Sequence, residues 1–275
     1  MKKIGFIGLG NMGGAMAQNL VKAGFEVRGY DPVPAARERA GAAGIAVADD
    51  PAGTAAGAAV ICSSVPATEH ALDVYLGDAG ALAGAPWGTT CFDFSTISVA
   101  GSRRIASEAE KRGIIFLDAP VSGSIDYAES GELAIMVGGE KTALDAHADV
   151  LRAVGSSADH FGPNGAGLHM KLVINHIMSI HTCAFSEGLA LGKKAGLDPD
   201  QMTRTIQNSV LGYMHVYKPR SIVEKDYAPT FSVDYMLKDM RLISEVAESA
   251  KSPIPLGALC RQMYMGAAAA GFGEK

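Results

Sequence analysis

The sequence has few of the features that would define a class of protein at once. Its four cysteines, Cys62, Cys91, Cys183 and Cys260, lie far apart in 275 residues, without the C-x-x-C spacing of many metal sites or the density of a disulfide scaffold. No stretch approaches the roughly 20 apolar residues of a membrane span. No basic run accompanies the net charge of −5, which disfavours nucleic acid and anionic membranes as main partners. We therefore expect a cytoplasmic globular protein.

A strand, a glycine turn and a helix are present near the start of the chain. The apolar run at 3–7 precedes a G-x-G-x-x-G motif, which consists of Gly8, Leu9, Gly10, Asn11, Met12 and Gly13. Its first glycine permits a tight turn, its second lets the backbone approach a pyrophosphate, and its third allows close helix packing. Asp31 follows a second predicted strand at 25–30, where a carboxylate accepts hydrogen bonds from an adenosine ribose. The motif is common by chance, but this context predicts a dinucleotide site.

Strands and helices continue to alternate after Asp31. We predict further strands at 45–47, 59–62, 90–93, 114–117, 134–137 and 159–161. We predict helices at 34–41, 67–75, 99–112 and 140–153, and a further short helix that begins near Asp50. This alternation predicts an α/β fold, a Rossmann-like doubly wound parallel sheet, over residues 1–163.

The second half of the sequence has a helical pattern. Helices are predicted at 165–194, 199–208, 212–223, 234–250 and 255–269. We therefore expect an all-helical domain over residues 164–275, joined to the first domain by the long helix at 165–194.

Two loops that follow predicted strands contain small hydroxyl side chains. Residues 63–66 follow one strand and residues 94–98 follow another, and ligands of doubly wound sheets bind at the carboxyl ends of strands. These loops are candidates for cofactor contact. The alternative is helix capping, since Ser98 or Thr68 could begin the next helix.

A third loop, at 118–124, has hydroxyl groups on both sides of a glycine. Backbone N–H groups near Gly123, together with the hydroxyls of Ser122 and Ser124, could hold an anionic group such as a carboxylate. A simple strand-ending turn has the same composition. The residues alone leave both interpretations open.

The long helix contains a candidate acid–base group. Lys171 and Asn175 are one turn apart and share a helix face with Gly167. A lysine can donate a proton to a carbonyl during reduction, and it acts as a base in the reverse direction when desolvation or a nearby positive charge lowers its pKa. A helix lysine is usually solvated, but the stretch 172–180 is mostly apolar, which favours a lysine that faces a cleft.

The histidines of this helix do not form a metal-binding pattern. His169 and His176 are seven residues apart, about 10.5 Å along a helix, which is too far for one ion. His181 lies on another face, so we predict no metal site. Lys238 and Asp239, on a later helix, form either a surface ion pair or a contact to cofactor or substrate.

Together these residues resemble those of the β-hydroxyacid dehydrogenases, which include the 3-hydroxyisobutyrate dehydrogenases, tartronate semialdehyde reductases and glyoxylate/succinic semialdehyde reductases. The resemblance covers nearly the whole chain. It rests on motifs in the family's order, at 8–13, 94–96, 118–123, 165–175 and 238–239. It implies an NAD(P)-dependent oxidoreductase that interconverts a short β-hydroxyacid with its semialdehyde or oxo-acid, and it implies a homodimer or homotetramer.

The resemblance also implies roles for single residues. Lys171 matches the family's catalytic lysine and Asn175 its substrate-positioning asparagine. Ser122 and Gly123, with Ser124 beside them, match its carboxylate-binding turn. The positions that match cofactor contacts are Val65, Pro66, His70, Thr96 and Lys238, of which Lys238 also lies near the substrate.

Some residues depart from the family's pattern. Ser124 and Ile174 replace a glycine and an asparagine of many members, as in the glyoxylate and succinic semialdehyde branch, but Asp31-Pro32 replaces the Asn-Arg pair that this branch uses with NADP. A carboxylate repels a 2′-phosphate, so we predict NAD over NADP, although Arg37 or Arg39 could favour NADP. Relatives continue into a short final helix, so we expect that the sequence is truncated at its end.

Two alternatives to a hydroxyacid dehydrogenase remain. The chain could be a cofactor-binding interaction module without turnover, against which the presence of Lys171 and Asn175 argues. An imine-reductase-like enzyme is disfavoured because those relatives lack the lysine. We predict that one wall of the substrate cleft, here called the specificity wall, determines which substrate fits. Its predicted residues are Tyr213, Met214, His215, Tyr217 and Lys218.

Overall fold

The computed structural model describes residues 1–212 and 231–275. The chain forms two compact units, Met1–Lys171 and Leu172–Lys275. The predicted specificity wall at 213–218 and most of the predicted helix at 212–223 lie outside the described residues. The domain boundary expected between 163 and 164 stays a prediction.

The first unit alternates strands and helices. Its strands are β1 Lys3–Ile7, β2 Glu26–Tyr30, β3 Ala46–Val47, β4 Val60–Ser63, β5 Thr90–Asp93, β6 Ile115–Asp118, β7 Val121–Ser122, β8 Leu133–Gly138 and β9 Gly155–Gly162. Its helices are α1 Asn11–Lys22, α2 Pro34–Ala42, α3 Pro51–Ala55, α4 Thr68–Leu76, α5 Ala81–Gly84, α6 Val99–Glu110, α7 Ile125–Ser130, α8 Lys141–Ala146 and α9 Ala148–Val154.

All of these strands belong to one sheet. The strand order is β3-β2-β1-β4-β5-β6-β8-β7, and β9 pairs with β8. Neighbouring strands from β3 to β6 are parallel, as a doubly wound fold requires. The chain order reverses between β1 and β4, and ligands of such sheets bind beside this switch point.

The core of the first unit lies on both faces of the sheet. In β4, Val60 and Cys62 point to a cluster that includes Leu20 and Val150, whereas Ile61 points to a second cluster on the opposite face. Successive strand residues alternate between faces, so a strand that is apolar throughout is buried on both sides. The predicted doubly wound architecture is therefore confirmed.

The second unit is helical within its described residues. The long helix α10, Ala166–Lys194, begins in the first unit and continues into the second, where α11 Pro199–Gln207, α12 Val233–Ser249, α13 Pro255–Ala267 and a π-helical turn at Ala268–Phe272 follow. A buried cluster in this unit includes Leu172, Met236, Met240 and Cys260. No described helix is long and apolar enough to cross a bilayer.

The end of the sheet differs from the sequence prediction. Strand β8 pairs antiparallel with β6 and β7, so the expected parallel arrangement was wrong for this part. Strands β6 and β7 run in the same direction, and the segment at 123–132, which contains α7, reverses the chain so that β8 returns beside both of them. The helix predicted at 140–153 is divided at His147, whose φ of −120° is not helical.

Candidate active site

The glycine turn after β1 has the geometry of a pyrophosphate site. Gly8 has a φ of +89°, a conformation that favours glycine, and a β-carbon there would overlap the carbonyl oxygen of Ser64. A β-carbon on Gly13 would overlap the carbonyl oxygen of Gly8, whereas one on Gly10 would meet nothing within 4 Å. Gly10 is also the N-cap of α1, and no described side chain caps this helix. The N–H groups of its first turn can therefore bind an anion.

Asp31 is held close to the glycine turn. Its Oδ2 accepts a hydrogen bond from the backbone N–H of Leu9 at 2.7 Å, and its Oδ1 accepts one from Val33 at 2.8 Å. Arg37 donates to the backbone carbonyl of Asp31 at 2.9 Å. The predicted ribose acceptor thus also fixes the motif residue Leu9, and each carboxylate oxygen retains a lone pair for a ligand.

The loops after β4 and β5 are joined by side-chain hydrogen bonds. Ser95 accepts a hydrogen bond from the backbone N–H of Val65 at 2.8 Å and donates to Asp93 Oδ1 at 2.5 Å. Ser63 donates to the same oxygen at 2.8 Å. Burial raises the pKa of Asp93, and the hydrogen bonds from Ser95 and Ser63 partly offset this.

The capping alternative is correct for one of the two hydroxyls considered. Ser98 is the N-cap of α6 and accepts a hydrogen bond from Gly101 at 3.0 Å. Thr68 instead accepts one from the backbone N–H of Ser98 at 2.9 Å. Near these loops, Thr96 is half-buried and His70 is exposed.

The turn at 122–124 begins at the last residue of β7 and has a glycine in a conformation that side chains rarely adopt. Gly123 has a φ of +145°, and a β-carbon there would lie 2.7 Å from Leu133 and 2.9 Å from Tyr127. Ser122 and Ser124 are half-buried, so their hydroxyls lie close to the surface of the first unit. This geometry allows contact with an anion, and the role stays a prediction.

A buried carboxylate holds the start of α10. Asp118, the last residue of β6, is 1% exposed and accepts hydrogen bonds from the backbone N–H groups of Gly165 at 2.6 Å and Leu168 at 2.9 Å. Burial raises the pKa of Asp118, and these backbone hydrogen bonds counteract it. A β-carbon on Gly138 would lie 2.7 Å from both carboxylate oxygens, and one on Gly167 would overlap the carbonyl oxygen of Met136.

Lys171 follows this anchored turn. It is half-buried, and it lies three residues beyond Leu168, about 4.5 Å along the helix axis. The turn is bonded to the carboxyl end of β6, so Lys171 lies within one helical turn of the sheet edge from which the loops after β4 and β5 also leave.

Asn175 lies in the second unit and has a buried partner. It is fully buried, and its Nδ2 donates to Asp239 Oδ2 at 2.6 Å. Asp239 is 1% exposed, and its Oδ1 is 3.1 Å from the ammonium of Lys238, whose side chain is 24% exposed. Asp239 therefore belongs to a buried network, and the surface-pair interpretation is wrong for this residue.

The metal-ligating side chains at 1–212 and 231–275 are not clustered. Among the described residues, no group of three or more His, Cys, Asp or Glu side chains could hold a metal ion. Cys62 and Cys91 are buried in β4 and β5, and burial raises the pKa of each thiol. Burial and the neighbouring Cys260 raise the pKa of Cys183 to about 12.

The glycine turn, Asp31 and the loops after β4 and β5 define the first unit as a dinucleotide-binding domain. Comparison with known families agrees. Residues 3–162 match the NAD binding domain of 6-phosphogluconate dehydrogenase, and residues 165–275 match the NAD-binding domain of NADP-dependent 3-hydroxyisobutyrate dehydrogenase.

Individual proteins are similar over the whole chain. An NAD-dependent L-serine dehydrogenase of Pseudomonas aeruginosa is 35% identical over 100% of this chain and 95% of its own length. Mitochondrial 3-hydroxyisobutyrate dehydrogenase of Mus musculus is 36% identical over 99% of this chain and 84% of its own length. The structure of Mycobacterium tuberculosis 3-hydroxyisobutyrate dehydrogenase with L-serine has a TM-score of 0.90 at 34% identity, covering 99% of this chain and 96% of that one.

The chain therefore belongs to the β-hydroxyacid dehydrogenases, and it is an NAD(P)-dependent oxidoreductase, as the sequence predicted. An imine reductase of Pseudomonas sp. shares the fold with a TM-score of 0.68 at 20% identity, covering 99% of this chain and 96% of that one.

Sequence reasoning missed the supporting roles of three carboxylates, although Asp118 and Asp239 lie in motifs that it named. Asp93 and Asp118 end neighbouring strands and are paired in register, and Asp239 holds Asn175. For Asp93 and Asp118 a signal was present, since each is a charged residue at the carboxyl end of an otherwise apolar strand. The partner of Asp239 is 64 residues distant, and no local pattern indicates it.

Proposed function

We propose that this protein is an NAD-dependent dehydrogenase of short 3-hydroxycarboxylates, with Lys171 as its general acid and base. The observation that carries the proposal is the bond between Asp118 and the first turn of α10. It supports a position for Lys171 at the same sheet edge as the glycine turn. Lysine in that position can exchange a proton with the substrate oxygen.

The proposed roles of the other residues follow from their chemistry. Nicotinamide, when bound, accepts or returns the hydride. Lys171 removes the hydroxyl proton during oxidation and donates it to the carbonyl oxygen during reduction. The turn formed by Ser122, Gly123 and Ser124 binds the substrate carboxylate, and Asn175, held by Asp239, orients the substrate or the lysine ammonium.

The cofactor contacts are proposed from the same surfaces. The pyrophosphate lies over the motif at 8–13, and Asp31 binds the adenosine ribose. Val65, Pro66, His70 and Thr96 contact the remainder of the cofactor, and Lys238 contacts cofactor and substrate. We also propose that the protein is cytoplasmic and holds no metal ion. We further propose a homodimer or homotetramer, which is supported by exposed apolar side chains of α10 such as Val173, Ile177 and Leu191.

The names of the relatives suggest a narrower substrate class. L-Serine and 3-hydroxyisobutyrate are both 3-hydroxypropanoates with one small substituent at C2. A substrate of this kind presents a primary hydroxyl to Lys171 and a carboxylate to the turn at 122–124.

A panel of substrates tests this function. Oxidation of L-serine and 3-hydroxyisobutyrate, and reduction of succinic semialdehyde, tartronate semialdehyde and glyoxylate, should be measured with NAD(H) and NADP(H). We expect turnover of L-serine, 3-hydroxyisobutyrate or tartronate semialdehyde, the compounds that carry or yield a 3-hydroxyl group. Turnover of glyoxylate or succinic semialdehyde alone would contradict the proposed substrate class, because their reduction gives a 2-hydroxyacid and a 4-hydroxyacid. The matched controls without the carboxylate, ethanolamine for L-serine and 2-methyl-1-propanol for 3-hydroxyisobutyrate, should not react. Binding of NADH without turnover of any compound would favour the interaction module. Reduction of a cyclic imine but of no carboxylate would favour the imine reductase.

The cofactor preference gives a second expected result. Asp31→Asn removes the negative charge that repels a 2′-phosphate, so the ratio of kcat/KM for NADH to that for NADPH should fall about 10-fold. The measurement is steady-state kinetics with each cofactor. Asp49→Asn is the matched control, because Asp49 is exposed in the same unit and its replacement changes the net charge equally. An unchanged ratio in Asp31→Asn contradicts the role of Asp31.

A further inference from the structure

Asp93 lies beneath the loops after β4 and β5 and joins them. It is 1% exposed, and Ser95, in the second loop, is 4% exposed. One oxygen, Oδ1, accepts three hydrogen bonds: from Ser63 Oγ at 2.8 Å, from Ser95 Oγ at 2.5 Å and from the backbone N–H of Ser95 at 3.1 Å. The residues at the start of both loops are therefore hydrogen-bonded to one buried oxygen atom.

The direction of each hydrogen bond in this network is determined. A hydroxyl has one proton, and Ser95 gives its proton to Asp93, so its oxygen is the acceptor for the N–H of Val65. Ser63 also gives its proton to Asp93, so Tyr75, whose hydroxyl is 2.7 Å from Ser63 Oγ, donates to it. Asp93 thus fixes the orientation of the Ser95 hydroxyl, and this hydroxyl fixes the position of the Val65 backbone N–H.

The place of this network in the sheet indicates which part of the cofactor lies above it. Asp31 follows β2, the glycine turn follows β1, and β4 and β5 continue in order on the other side of β1. A dinucleotide with its adenosine near β2 and its pyrophosphate over β1 places its other nucleoside over β4 and β5. Val65 and Thr96, the proposed contacts of that half, are next to the network in sequence.

We propose that Asp93 and Ser95 position the nicotinamide half of the cofactor by fixing the two loops that contact it, without touching the cofactor themselves. The proposal rests on the cofactor placement given under the proposed function. Both residues are then positioning residues. Their loss should weaken binding of the nicotinamide half of the cofactor and leave binding of the adenosine half unchanged.

The test compares NADH with ADP, which has the adenosine and the pyrophosphate of NADH but lacks the whole nicotinamide nucleoside. In Ser95→Ala the dissociation constant of NADH should rise about 10-fold, because Val65 loses its acceptor. The dissociation constant of ADP should change less than about 2-fold, because ADP lacks the nucleoside that these loops contact. Isothermal titration calorimetry measures both constants without a substrate, so the result is independent of turnover.

Two further variants complete the experiment. Ser102→Ala is the matched control, since Ser102 is fully buried in α6 of the same unit and its hydroxyl has no hydrogen-bond partner among the described residues. It should leave both constants unchanged. Asp93→Asn keeps an acceptor oxygen for Ser95. It should therefore raise the dissociation constant of NADH less than Ser95→Ala does. Circular dichroism and the thermal midpoint establish that each variant is folded.

The outcomes separate a positioning role from a structural one. A selective loss of NADH affinity in Ser95→Ala supports the proposal. Equal weakening of NADH and ADP binding, or no change in either, overturns it, because the network would then support the whole site or the fold alone. Since NADH binding is measured directly, a failure of this proposal is distinguishable from an absence of turnover with the substrate panel.

Discussion

Replacement of Lys171 by alanine should lower kcat by about 100-fold to 10,000-fold, the usual contribution of a positioned general acid or base. The affinity for NADH should remain close to that of the wild type, because the glycine turn, Asp31 and the β4 and β5 loops are unchanged. Without the lysine, the proton of the substrate hydroxyl must leave to water, which raises the barrier of the chemical step. Steady-state kinetics on the best substrate of the panel and NADH titration are the measurements.

Two variants separate proton transfer from charge. Lys171→Arg keeps a positive charge but is not deprotonated near neutral pH, so it should recover little of the lost kcat. Lys141→Ala removes an exposed lysine that pairs with Asp145 at the surface, and it should be as active as the wild type. If Lys171→Ala retains most of its kcat, or loses NADH binding in proportion, Lys171 is not the acid–base group.

Of the variants proposed for this protein, Asp118→Ala should lower the stability most. We expect its free energy of unfolding to fall by about 3 kcal/mol. Asp118 is the acceptor for the N–H groups of Gly165 and Leu168. In Asp118→Ala these buried donors lose their partner, and each unsatisfied donor costs about 1–3 kcal/mol. Urea denaturation followed by circular dichroism measures the change.

The matched control for this variant is Asp50→Ala. Asp50 is the N-cap of α3 and accepts a hydrogen bond from Gly53 at 2.6 Å, but it is half-buried and water can replace it. Its loss should cost about 1 kcal/mol, as for an ordinary N-cap. Equal costs in the two variants would show that burial of Asp118 adds nothing to its role.

Much of the fold follows from the sequence, because its signals are local. Strand β5 was predicted at 90–93 and occurs at Thr90–Asp93, since it is a short β-prone stretch between turn residues. Helix α10 was predicted at 165–194 and occurs at Ala166–Lys194. Helix α7, Ile125–Ser130, was missed because six residues are too few for a helical period.

The residues proposed to contact ligands stand out in the sequence, whereas the residues that support them do not. The glycine motif, Lys171 and Asn175 stand out because chemistry restricts residue type and spacing. Asp93 accepts a hydrogen bond from Ser63, which is 30 residues away. Asp118 accepts one from Gly165, which is 47 residues away. Such pairings depend on which strands become neighbours, so they become visible only when the sheet is assembled.

The contact at Gly138 and Gly167 limits how the protein can diverge. A junction between side chains can be repacked by a pair of compensating substitutions, but here a β-carbon on Gly167 would overlap a backbone oxygen, that of Met136. No second substitution makes room for it. The first turn of α10 is therefore held in place on the sheet while the turn at 122–124 is free to change in sequence, so that Lys171, the proposed proton-transfer group, keeps its position when the proposed carboxylate-binding turn diverges.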